Sequence, residues 1–123
     1  MDKRLEHALD ISKRRKTFEN QLNNLKAKSQ VHLSHSTGGG KFTIDRSLIS
    51  FVDYLINTKK QETIVLLDDR ELPILIDNPD QFLDDITAKY VSVTFDYYHE
   101  YDRLRKSNSI DSMVKIHEID NDS

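Results

Sequence analysis

Four groups of residues in this 123-residue chain have the types that chemistry uses. Gly38-Gly39-Gly40-Lys41 combines consecutive glycine amides with a lysine, the components of a phosphate cradle. The spacing does not fit. A phosphate loop has glycine five residues before its last glycine and Ser or Thr after the lysine, where this chain has His35 and Phe42. The segment also leads into a strand-like run rather than a helix, so a hairpin turn is the better reading. His32 and His35 are of metal-ligand type, but a spacing of three on a strand turns the rings to opposite faces. Asp68-Asp69-Glu71 and Asp84-Asp85 suit acid–base or magnesium chemistry. Each has a structural use that comes first: solvated charge at a hairpin tip, and acids near the positive end of a helix dipole. Serine, histidine and aspartate are present without a Gly-x-Ser-x-Gly elbow, and there is no cysteine nucleophile or thiolate site. The expectation is a protein that is not an enzyme, with no catalytic residue, no metal site and no cofactor.

What remains is contact with other macromolecules, and the charge distribution points there. The first thirty residues carry eight Lys or Arg against four Asp or Glu, and the rest carries ten against seventeen. A basic arm joined to an acidic body suits association better than a catalytic pocket. Ile11, Phe18, Leu22 and Leu25 fall, with Ala8, on a 3-4 spacing that forms a narrow stripe of coiled-coil type, interrupted by Arg15. These four are the first partner-binding candidates. Tyr98 and Tyr101 are the second, as half-exposed tyrosines of the kind enriched at interfaces. A nucleic-acid-binding alternative uses Lys13, Arg14, Arg15 and Lys16, with Lys26 and Lys28 further along. On a helix the four consecutive cations wrap through nearly a full turn, so they do not all face one duplex.

The elements that would position these residues are legible from spacing and punctuation. Residues 2–29 lack Gly and Pro and predict one long helix, either forming a coiled-coil seam or packing on its own domain. Val31 to His35 and Lys41 to Ile44 alternate around Ser36-Thr37-Gly38-Gly39-Gly40 and predict a β-hairpin. Asp45 is placed to cap a helix with the apolar face Leu48, Ile49, Val52, Leu55 and Ile56. Ile64 to Leu67 and Leu72 to Ile76, joined by Asp68-Asp69-Arg70-Glu71, predict a second hairpin, with Pro73 at an edge or strand start. Asn78-Pro79-Asp80-Gln81 predicts an N-cap, a proline at the first helical position and a capping-box glutamine. That helix extends to about residue 106 despite the strand-like run from Tyr90 to Phe95, because the stripe Leu83, Ile86, Tyr90, Val93, Tyr97, Tyr101 and Leu104 continues on both sides. The fold class is therefore α+β: a long N-terminal helix, two β-hairpins alternating with two further helices, and a flexible acidic C-terminal tail. Residues 1–30 form a basic helical arm, 31–106 the body and 107–123 a mobile tail.

Leu, Ile, Val and Phe supply 35 residues, enough for one modest core, while 32% charged residues leave room for oligomerisation to complete it. The longest aliphatic run is four residues, Ile64 to Leu67, so no membrane segment is expected. The charged start is unlike a signal peptide and Asp2, Glu6 and Asp10 are unlike a transit peptide, so the expected location is the cytoplasm.

Three segments together resemble small uncharacterised proteins of T-even-like tailed phages, notably those of marine cyanobacteria. They are Gly39-Gly40-Lys41-Phe42-Thr43-Ile44 leading into Leu48-Ile49-Ser50-Phe51-Val52; Val65-Leu66-Leu67-Asp68-Asp69 through Leu72-Pro73-Ile74; and Tyr98 through Tyr101-Asp102-Arg103-Leu104-Arg105-Lys106-Ser107. The resemblance covers roughly residues 39–109. It implies a viral protein made in a host bacterial cytoplasm and brings no active site with it. The combined expectation is a protein-binding, self-associating protein, a homo-oligomer or the partner of another protein, serving in assembly, in the virion or as a modulator of a host machine.

Overall fold

The computed structural model describes the backbone of residues 2–121 and the side chains of residues 2–108. The elements follow the order helix, hairpin, helix, hairpin, helix: α1 (Lys3–His32), β1 (Ser34–Thr37), β2 (Gly40–Thr43), α2 (Arg46–Asn57), β3 (Ile64–Leu67), β4 (Pro73–Ile76) and α3 (Pro79–Asn121). This is the α+β arrangement that the spacing predicts. Two compact units result. One joins Met1–Lys28 to Asp96–Ser123, and the other is Ser29–Phe95.

In the second unit each hairpin is its own two-stranded antiparallel sheet. Thr37 pairs with Gly40 in the first, leaving Gly38 and Gly39 as a two-residue loop at φ +57° and +83°. Positive φ at both central positions defines the tight turn that glycine adopts without steric cost. The predicted five-residue turn thus shortens to two, and Ser36 and Thr37 become strand. Helix α1 also runs three residues past its expected end, taking in Val31 and His32. Five residues of alternation there are outweighed, at Val31 and His32, by continuation of an already nucleated helix. In the second hairpin Leu67 pairs with Pro73, so proline sits at a strand start as expected. The connecting loop places Glu71 at φ +63°.

The core lies where the inward faces of both hairpins meet α2 and the first turns of α3. Phe42, Ile44, Val52, Ile64, Leu66, Ile74, Ile76, Phe82 and Ile86 are buried together. Each fully buried aliphatic side chain, such as Val52 or Ile86, contributes about 1.5–3 kcal/mol. Phe82 stacks edge-on against both Phe42 and His35, with ring centroids 5.4 and 5.5 Å apart.

The helix starts follow their caps. Asp45 is extended at φ −141° and its carboxylate accepts the Leu48 N–H at 2.7 Å. Asn78 Oδ1 accepts the Gln81 N–H at 3.2 Å. The expected return bond from Gln81 is replaced by a bond one turn forward, Gln81 Nε2 to Asp85 Oδ1 at 2.9 Å. Tyr90 to Phe95 is helical, and the Thr94 hydroxyl donates back to the Tyr90 carbonyl at 2.8 Å. Helix α3 continues beyond residue 106, where the sequence suggests a mobile tail. The side chains of that tail from residue 109 lie outside the described residues.

Candidate interaction surfaces

The first surface is the helical unit. Within it α1 and the distal part of α3 run antiparallel. Lys28 Nζ meets Glu100 Oε1 at 3.0 Å, while Phe18 and Gln21 share a groove with Leu104 farther along. The choice left open by the sequence is settled to this extent: α1 lies against a segment of its own chain. Of the four stripe residues, Leu25 is buried, Phe18 and Leu22 are half-buried, and Ile11 is 46% exposed. Leu5 and Leu9 are also exposed. At 100° per residue those two fall opposite the stripe. Tyr98 is 57% exposed and stacks edge-on with His99, whereas Tyr101 is half-buried. Nearby, Asp102 accepts from Arg105 at 2.8 Å and lies 2.9 Å from Lys106 Nζ. The hydrogen bond from Lys106, then that from Arg105, holds the Asp102 carboxyl below its usual range.

The six basic candidates do not form one surface. Lys13 and Arg14 line the groove with Phe18 and Leu104, while Arg15 and Lys16 turn away by the helical period. Arg14 lies 3.5 Å from Asp10, and Lys28 is paired with Glu100. Arg14 and Lys28 are thus offset by acids of the same chain.

Several residues of catalytic or ligand type have structural partners in the fold. Asp68, expected at a solvated tip, is buried, with no exposure of its side chain. Its Oδ1 accepts the N–H groups of Arg70 and Leu72, both at 2.9 Å, closing an Asx-type turn. The Leu72 N–H does most to hold its pKa below the usual value. Desolvation opposes this, and the Arg70 and Lys41 N–H groups and the Arg70 charge add to the lowering. Asp69 clamps the two hairpins together: its N–H donates to the Lys41 carbonyl, and its two oxygens accept the Thr43 N–H and hydroxyl at 2.9 and 2.8 Å. Gly40 is buried beneath this turn. A Cβ there would lie 2.6 Å from Ile74 Cγ1 and 3.2 Å from Asp68 Cβ. The glycine run is therefore set by a tight turn and a close approach. His32 ends α1 while His35 packs its ring on Phe82, so the two histidines do not converge. Asp85 is engaged by Gln81. Among the described residues no group of three His, Cys, Asp or Glu is placed to hold a metal ion. No helix among them is long and apolar enough to cross a membrane.

One surface escaped the sequence reading. In the second hairpin Ile64, Leu66, Ile74 and Ile76 point to the core, while Val65 (58% exposed), Leu67 (63%) and Leu75 (58%) face outward with Pro73. The signal was present: both strands are continuous aliphatic runs, the pattern of a sheet covered on two faces, rather than the alternation of one covered on a single face.

Compared with known proteins, the chain matches no family model, no curated protein and no solved structure.

Proposed function

We propose that this chain is a non-enzymatic protein–protein interaction protein that associates through its N-terminal helix, with itself or with a helical partner. One observation carries the reading: α1 is 30 residues long, yet Leu25 is its only buried side chain. A helix gains its stability in a protein by burying an apolar stripe, and a two-helix pair leaves much of that stripe wet. Ile11, Phe18 and Leu22 stay partly accessible, and Tyr98 on α3 is exposed. Apposing a second helical pair, as in a four-helix bundle, would complete their burial. Lys13, Arg15, Lys16 and Lys26 would then steer an acidic partner or the acidic region of another copy. A phage assembly or virion component, or a modulator of a host machine, is the setting that the family resemblance suggests.

The experiment is solution mass by size-exclusion chromatography with light scattering, for the wild type and for Phe18→Ala/Leu22→Ala, with helix content followed by circular dichroism. The expected result is an oligomer that survives high salt and dissociates in the variant while the hairpin unit stays folded. Unchanged mass in the variant removes the helical contact from the account. Co-elution with nucleic acid at low salt alone would transfer the function to the basic residues.

A further inference from the structure

We propose that the cavity between the tips of the two hairpins binds the phosphoryl group of a small phosphorylated polyol, the class that includes sugar phosphates. The site lies within the Ser29–Phe95 unit and does not depend on the helical contact proposed above. Its volume is about 580 Å³, within the range of small-ligand sites. Ser36, Thr37, Gly38, Gly39 and Lys41 line it from the first hairpin, and Arg70 lines it from the second. The bonds of Asp69 to Thr43 and the close approach of Gly40 to Ile74 fix the two tips against each other, so the walls are formed before any ligand arrives. This is not the strand-to-helix phosphate loop that the spacing excludes, because the elements on both sides of the glycines are strands.

The cavity wall carries donors that the fold leaves without partners. Among the described residues, Lys41 Nζ, the hydroxyls of Ser36 and Thr37, and the N–H groups of Gly38 and Gly39 make no hydrogen bond within the chain. No atom lies within 4 Å of where a Cβ on Gly39 would stand, so a ligand can come close to the backbone there. Arg70 is held by a buried carboxylate. The Asp68 side chain has no exposure, and its Oδ1 accepts the Arg70 and Leu72 N–H groups. Its Oδ2 has no hydrogen-bond partner and stands 3.7 Å from Arg70 Nε. Engaging the guanidinium by that edge leaves its two terminal nitrogens for a bidentate pair with phosphoryl oxygens. Two cations, two hydroxyls and two amides suit a dianionic group with three acceptor oxygens. Asp69, which also lines the cavity, argues against a second anionic group on the ligand. Its oxygens accept from Thr43 and keep lone pairs that can take ligand hydroxyls. No aromatic side chain lines the cavity, so a nucleobase would have nothing to stack on. One phosphoryl group on a hydroxylated carbon frame meets these conditions together.

The probes are glycerol phosphate, glycerol and inorganic phosphate, each titrated into the full chain at about pH 8 and constant ionic strength, where the phosphoryl group is a dianion. Binding is followed by calorimetry and by the amide resonances of the chain. Lys41→Ala and Arg70→Ala are compared with Lys59→Ala, a cation outside the cavity. All three side chains are exposed, so their loss leaves the fold intact, with circular dichroism as the check. The expected result is saturable binding of glycerol phosphate that shifts the Gly38 and Gly39 amides, with no binding of glycerol. Lys41→Ala and Arg70→Ala should each weaken it at least about tenfold, and Lys59→Ala should leave it unchanged. No saturation up to about 10 mM, equal weakening by Lys59→Ala, or shifts confined to residues outside the cavity would overturn the proposal. Inorganic phosphate binding as tightly as glycerol phosphate would overturn its polyol part.

Discussion

Replacing Gly40 by alanine tests how the two hairpins are fitted together. Gly40 lies outside the positive-φ region that Gly38 and Gly39 occupy, so its backbone accepts alanine. The obstacle is contact alone: the new Cβ would sit 2.6 and 2.9 Å from Cγ1 and Cδ1 of Ile74, and 3.2 Å from Asp68 Cβ. Ile74 cannot escape by turning. Its χ1 is stiff, its side chain is 9% exposed in the core, and its other branch, Cγ2, already packs toward Gly38. Overpacking of this kind costs about 1–3 kcal/mol, which for a chain of this size lowers the melting temperature by about 4–12 °C. The assay is urea unfolding followed by circular dichroism, applied to Gly40→Ala, Ile74→Ala and the pair. Ile74→Ala alone costs about 2–5 kcal/mol through its cavity. In that background the cost of Gly40→Ala should largely vanish, leaving only the 3.2 Å approach to Asp68 Cβ, partly offset because alanine narrows the unfolded ensemble. The expected coupling is thus about 2 kcal/mol. An equal cost of Gly40→Ala in both backgrounds would refute the steric argument.

Further expectations rest on the same turn and on the helix starts. Because Asp68 titrates below its usual value, its charged form favours the native state above about pH 4, and that advantage is lost as pH falls through the folded pKa. Asp68→Asn should therefore lower the urea midpoint at pH 7, with the gap from wild type closing as pH falls below the usual carboxylate range. A constant gap would count against the assignment. Asp69→Ala leaves the Thr43 N–H and hydroxyl without their acceptor and should cost about 1–2 kcal/mol, more than Thr43→Val, which loses the hydroxyl bond alone. Asn78→Ala should cost about 1 kcal/mol by urea titration, since it removes the acceptor for the Gln81 N–H at the start of α3.

Elements with strong local punctuation were legible. Asp45 and Asn78-Pro79 mark two helix starts because a cap acts within four residues, and the glycine run marks a hairpin because positive φ is a local need. The helical state of Tyr90 to Phe95 was readable from the stripe flanking it, against β-propensity. The role of Asp68 was not readable. Its burial depends on the second hairpin's turn folding over Gly40, far away in sequence, and composition records only a charged tip. The same distance hides the Asp69–Thr43 clamp. The stripe on α1 was visible as Ile11, Phe18, Leu22 and Leu25, but its use against α3 was not, because a 3-4 spacing suits an intrachain neighbour and a second molecule equally. The outward hairpin face was written in two unbroken aliphatic runs, yet identifying the bare face required the register.

The most direct test of the account is the mass of the full chain in solution, measured by light scattering across concentration at low and high salt. The account predicts a species larger than the 14.4 kDa monomer that persists at high salt, free of nucleic acid, and that loses mass on Phe18→Ala/Leu22→Ala. A 14.4 kDa monomer at every concentration and salt would contradict it.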